Sequence, residues 1–140
     1  GRSCAAFNYC EGLVNSTGSR GDISWSGSTS HSANALTLSA SGLPNNQFGL
    51  FFYGPNQLRI SFGNGLRCVG GGVFRLAPPA LTSGIGEIYR DVDFNAAPMN
   101  AGAGLVVPGS RWNFQFWYRD PAASGSTFNL TNGLTAPICP

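Results

Sequence analysis

Few residues in this 140-residue chain are of a type that does chemistry. The one histidine, His31, sits in Ser-Thr-Ser-His-Ser, which reads as a solvated loop. A Ser-His-Asp hydrolase would have to use it, yet no Gly-x-Ser-x-Gly turn presents a nucleophile. Glu11 and Glu87 are the only glutamates, and neither lies in a motif that would pair carboxylates across a glycosidase cleft. Asp91 and Asp93 are two apart, so they share one side of a strand. Calcium asks for about six to eight oxygens, and a site shared with Asp22 or Glu87 has no supporting pattern. Ion pairs to Arg90, Arg111 or Arg119 are the expected use of these acids. No catalytic residue, metal site or cofactor is expected.

Four cysteines remain: Cys4, Cys10, Cys68 and Cys139. No Cys-x-x-Cys pair exists, and zinc needs clustered thiolates and imidazoles. Two disulfides in an oxidising compartment are the expectation. Cys10–Cys68 would tie the start of the chain to a middle strand. Cys4–Cys139 would join the ends, or Cys4 and Cys139 would bridge to a neighbouring molecule.

Recognition chemistry has three candidates. Asn15-Ser16-Thr17 and Asn129-Leu130-Thr131 are sequons, so Asn15 and Asn129 are candidate glycosylation sites; bare turn asparagines are the other reading. Arg20-Gly21-Asp22 matches an integrin-binding tripeptide, though Asp22 also suits a strand start. Trp117, Trp25 and Tyr53 are the candidate interface or sugar-stacking rings. The competing reading puts them on the second face of a sheet or at a subunit contact.

Composition narrows the partners. Charged residues make up 10% of the chain, against roughly 25% in ordinary soluble domains. The surface must therefore be Ser, Thr, Asn and Gln, which repels its own copies weakly. All eight basic residues are Arg, which excludes Schiff-base, P-loop and isopeptide lysine chemistry. A net charge of +2 with scattered Arg gives no basic stripe, so nucleic acid is not an expected partner. No apolar run approaches the roughly 20 residues of a membrane helix. The chain opens Gly-Arg-Ser-Cys without Met, as expected of an N-terminus left by signal removal or by a cut from a longer protein.

The elements that must position these residues read as β throughout. Arg111–Asp120 is the clearest. Trp112, Phe114, Phe116 and Tyr118 alternate with Asn113, Gln115, Trp117 and Arg119, the period of a half-buried strand with its aromatic side inward. Its other side is expected to meet a partner. Further strands are expected over 22–28, 34–41, 47–53, 57–62, 66–69, 73–76, 86–94, 105–107, 126–130 and 134–139. The run at 47–53 is nearly continuous and apolar, which fits burial on both faces or an interface. Asn132-Gly133 reads as a type I′ hairpin turn. Residues 1–21 read as an irregular lead-in. Turn signals recur roughly every 8–12 residues. The expectation is one all-β domain over 1–140, a disulfide-stabilised β-sandwich resembling a jelly roll, with about eight to ten short antiparallel strands.

Several segments together are similar to a family. They are Tyr9-Cys10 with Asn15-Ser16-Thr17-Gly18; Asn34-Ala35-Leu36-Thr37-Leu38; Ser41-Gly42-Leu43-Pro44 with Gln47-Phe48-Gly49; and Leu66-Arg67-Cys68. Pro108-Gly109-Ser110 leading into Trp112–Asp120, and Phe128–Gly133, complete the set. The chain resembles an uncharacterised β-domain family found in secreted and cell-surface proteins of planctomycete-like bacteria. The resemblance implies an extracellular or cell-surface location and a structural, adhesive or anchoring role, and it supports pairing Cys10 with Cys68. The expected function is thus a non-enzymatic extracellular structural protein that assembles with copies of itself into a filament or coat. The alternative is a carbohydrate-binding or adhesive module whose partner is a glycan or cell-surface polysaccharide.

Overall fold

The structure, a computed structural model, describes residues 4–140; the first three residues of the expected lead-in lie outside them. Strands form where apolar and hydroxyl residues alternate between Gly, Pro or Asn turns. In chain order they are β1 (Phe7–Tyr9), β2 (Asp22–Gly27), β3 (Leu36–Ser41), β4 (Phe48–Gly54), β5 (Asn56–Phe62) and β6 (Gly65–Gly70). Then follow β7 (Phe74–Arg75), β8 (Ala80–Leu81), β9 (Ile88–Asp91), β10 (Arg111–Arg119), β11 (Phe128–Leu130) and β12 (Gly133–Pro137). The only helical piece among the described residues is a 3-10 turn at Gly102–Gly104.

The chain is all-β and sandwich-like. A seven-stranded sheet runs β1-β12-β10-β4-β7, with β11 also beside β10 and β8 beside β4. A three-stranded sheet, β2-β3-β9, packs on one face of it. The β5–β6 hairpin lies on the other face, which makes a partial third layer.

The main core fills the space between the two sheets. Trp112, Phe114, Phe116 and Tyr118 of β10 are buried there. They meet Phe51 and Tyr53 of β4, with Phe51–Phe116 ring centroids 4.6 Å apart and Tyr53–Trp112 rings 5.2 Å apart, edge to face. Ile23, Leu36, Leu38 and Ile88 close the core from the three-stranded sheet. Losing one such buried ring costs roughly 3–5 kcal/mol, so this ladder dominates the fold's stability.

Four expectations change. β1 lies within the lead-in; it pairs with β12, so three residues without alternation become a strand because a partner edge is waiting. Residues 105–107 are not a strand, although Val106 is buried in the main core. β8 pairs with Phe48 and Gly49 where no strand was expected. Asn132-Gly133 is not a hairpin turn. β11 and β12 both lie antiparallel to β10, with Trp117 opposite Leu130 and Phe114 opposite Leu134. Two residues of β10 thus face three of its partner, which is a β-bulge inside one long interrupted strand.

The bulge aims side chains. Thr131 N–H donates to Phe116 O, and Phe116 N–H donates to Thr131 Oγ1 at 3.1 Å. Asn132 turns toward the second sheet. Its Oδ1 accepts from Ile23 N–H at 2.8 Å, and its Nδ2 donates to Asp22 Oδ1 at 2.9 Å. One asparagine therefore joins the two sheets.

Candidate functional site

The outer face of β10 was expected to meet something beyond the chain. For half of it that partner is the chain's own hairpin. Gln115 is fully buried. Its Oε1 accepts from Cys68 N–H at 2.9 Å, and its Nε2 donates to Leu66 O at 2.8 Å and Thr131 O at 2.6 Å. Asn113 is buried too, accepting from Gln57 Nε2 and donating to Gly54 O. Two more ties hold the hairpin down: the Cys10–Cys68 disulfide and a hydrogen bond from the Tyr9 hydroxyl to Cys68 O. Burial raises the Tyr9 phenol above its ordinary value, so it stays a donor.

Beyond Gln115 a groove of about 530 Å³ lies between hairpin and sheet, although the hairpin tip still touches β11, with Asn64 N–H donating to Phe128 O. Leu50 and Phe52 of β4 and Trp117 of β10 contribute from the main sheet, with Phe128 of β11 beside them. Phe62 and Arg67 contribute from the hairpin, and Val73, Arg75 and Pro79 close the far side. Beneath it a second small core of Phe52, Val69 and Leu130 supports Trp117 and Phe128. The rings are mutually braced, with Trp117–Phe128 centroids 5.6 Å apart and Phe62–Phe128 at 5.2 Å.

The groove's polar content is cationic. The Arg67 guanidinium lies 5.9 Å from the Phe62 ring centroid, a cation–π contact. Arg67 Nε is buried without a hydrogen-bond partner. No carboxylate lines the groove, and the ion pairs among the described residues, Glu11 with Arg20 and Arg59, involve neither Arg67 nor Arg75. An apolar, ring-lined cleft with two uncompensated guanidiniums fits an occupant with a flat or apolar body and an anionic group.

The other candidate residues fall elsewhere. Trp117 is half-buried in the groove, but Trp25 packs against the main core from β2. Tyr53 is wholly inside that core, donating its hydroxyl to Gly104 O at 2.7 Å. The three rings therefore form no shared platform. Both sequon asparagines are buried. Asn15 Nδ2 donates to Gly42 O at 2.8 Å and to the Tyr118 hydroxyl at 3.1 Å, while its Oδ1 accepts from Thr17 N–H and Thr17 Oγ1. Asn129 is fully buried, its Nδ2 reaching Leu13 O and its Oδ1 accepting from Leu130 N–H. A glycan must leave through that amide nitrogen, so the folded chain offers neither position.

Both disulfides form within the chain, as Cys10–Cys68 and Cys4–Cys139, and are consistent with an oxidising compartment. Arg20-Gly21-Asp22 is tied down: Arg20 donates to Gly12 O, Gly21 is buried, and Asp22 holds Asn132. His31 stacks on Phe94 with centroids 5.1 Å apart.

The expected ion pairs of Asp91 and Asp93 do not form. Asp91 accepts from Thr37 Oγ1, and Asp93 accepts from Asn34 Nδ2 and Asn95 N–H, bonds that lower its pKa, Asn34 most. Arg90 instead donates to Leu76 O and Ala77 O, and Arg111 to Thr135 Oγ1. No group of three or more His, Cys, Asp or Glu side chains suited to a metal ion exists among the described residues.

Sequence reasoning missed Arg67, Arg75 and Phe128 as site residues. It also missed Asp120, which is buried and accepts from both the backbone N–H and the hydroxyl of Ser16. Compared with family models, curated proteins and solved structures, the chain matches none.

Proposed function

We propose that this chain is a non-enzymatic extracellular structural protein that assembles with copies of itself into a surface filament or coat. The observation that carries the reading is the open apolar groove between hairpin and sheet, framed rigidly by Gln115 and the Cys10–Cys68 bond. Large apolar side chains stand exposed around it, including Phe62 at 40% and Val73 at 41%. Contiguous exposed apolar surface of this kind marks an interaction site. A charge-poor surface lets copies approach with little repulsion.

Sedimentation velocity across a concentration series, with negative-stain microscopy of the concentrated sample, tests the reading. The expected result is growth into extended assemblies. A single monomeric species at every concentration, with no filaments or sheets, would falsify it.

A carbohydrate-binding or adhesive role is the second reading. Trp117 and Phe128 offer ring faces beside two guanidiniums, which suits a sugar bearing a carboxylate or sulfate. Saturable retention on an acidic polysaccharide, lost on Trp117→Ala, favours it; equal behaviour of wild type and variant rules it out.

A further inference from the structure

Two surfaces of this molecule carry opposite charge. On the three-stranded sheet, Leu38 and Ala40 point into the core, so their neighbours Thr37, Ser39 and Ser41 point out. Tyr89 lies opposite Ser39, and Asp91 opposite Thr37, on that outer face. With Glu87 preceding them, the segment presents acid, aromatic, acid at alternate positions. Tyr89 is 68% exposed. β9 is also the end strand of its sheet. On the far side of the seven-stranded sheet, the groove presents Arg67 and Arg75 among aromatic walls.

We propose that the occupant of the groove is β9 of a second copy. Tyr89 enters between Trp117 and Phe62, and Glu87 and Asp91 pair with Arg67 and Arg75. The proposal rests on the self-assembly reading and specifies its contact. It supplies the two things the groove lacks: a flat side chain for its rings and an anion for guanidiniums that no carboxylate of the groove or ion pair among the described residues answers. Groove and strand share no residue and lie on opposite sides of the main sheet. One copy can therefore use both at once, giving a head-to-tail contact that propagates unless its rotation closes a ring.

Charge reversal tests this. A groove variant, Arg67→Glu with Arg75→Glu, is acidic on both surfaces. An edge variant, Glu87→Arg with Asp91→Arg, is basic on both. Each alone, shown folded by circular dichroism, is expected to need at least about tenfold more protein to assemble than wild type. Mixed in equal amounts they should assemble again, because each groove now matches the other's edge. Tyr89→Ala, which removes an exposed ring, provides the same reading should a reversed variant fail to fold; assembly weakens while the melting temperature holds. If wild type itself stays monomeric, the self-assembly reading fails and this contact with it. If wild type assembles and the variants match it, this contact alone is overturned. The same holds if the mixture gives no recovery from two folded, non-assembling variants.

Discussion

Gln115 shows what one side chain does between two layers. It answers three buried backbone groups with one amide: Cys68 N–H, Leu66 O and Thr131 O. A leucine of similar volume leaves all three unpaired, each worth about 1–3 kcal/mol when buried. Gln115→Leu is expected to lose roughly 3 kcal/mol or more in urea unfolding. A loss under about 1 kcal/mol would show that the hairpin re-pairs elsewhere. Sequence alone marked Gln115 only as a polar residue on an outward-facing period, because alternation tells inside from outside for one layer and is blind to a second.

The core tyrosines give a pH signature. Burial pushes Tyr53 and Tyr118 up to about 12, with the nearby Asp120 charge adding slightly at Tyr118. An unfolded tyrosine ionises near pH 10. Above that pH the unfolded chain has lost protons that the folded chain still holds, so stability falls as pH rises from about 10 to about 12. Below pH 10 these two residues impose no pH dependence. Tyrosinate absorbance is expected to appear together with loss of near-UV dichroism in that window. Ionisation of Tyr53 and Tyr118 near pH 10 in a still-folded protein would contradict their burial.

At the scale of elements, β10 was legible and its neighbours were less so. Its four inward rings occupy the positions that alternation assigns. Asn132-Gly133 misled because a dipeptide's turn preference is local, whereas both flanks here find the same partner strand. Long-range pairing won, and the spare residue became a bulge. The groove was unreadable for a related reason. Its rings come from β4, β5, β10 and β11, with Arg75 from β7, and no spacing along the chain links them.

The hairpin carries its own prediction. Cys10–Cys68 closes a segment of 58 residues, worth about 4 kcal/mol in the chain-entropy model. Cys10→Ser with Cys68→Ser should lower stability by about that much. Amide exchange should rise first in β5 and β6, with β10 still protected. Uniform exchange across all strands would mean that the hairpin is not a separate layer.

For the whole molecule, alternation and turn spacing foretold the all-β class and the cysteines foretold two bridges, but not that Cys4–Cys139 closes within the chain, nor three layers or sorted charge. Asp22, Asp91 and Tyr89 look out from one sheet, while Arg67, Arg75 and Arg119 belong to the side the hairpin covers. Such sorting is invisible to a net charge of +2. If faces of opposite sign bring copies together, assembly should weaken as salt rises from about 0.01 M to 1 M, where screening shortens from roughly 30 Å to 3 Å. Light scattering that is flat across that range would assign assembly to apolar contact alone.

Cys4 and Cys139 sit with their Cα atoms 6.1 Å apart, across 135 positions of sequence. Seen as a mechanical part, that bond is a shackle. A pull applied outside the two cysteines runs through one covalent link and bypasses every strand. The roughly 450 Å of contour between them stays out of reach. In force spectroscopy the oxidised protein should show no unfolding step, and reductant should release that full length. A chain built this way transmits tension without lengthening.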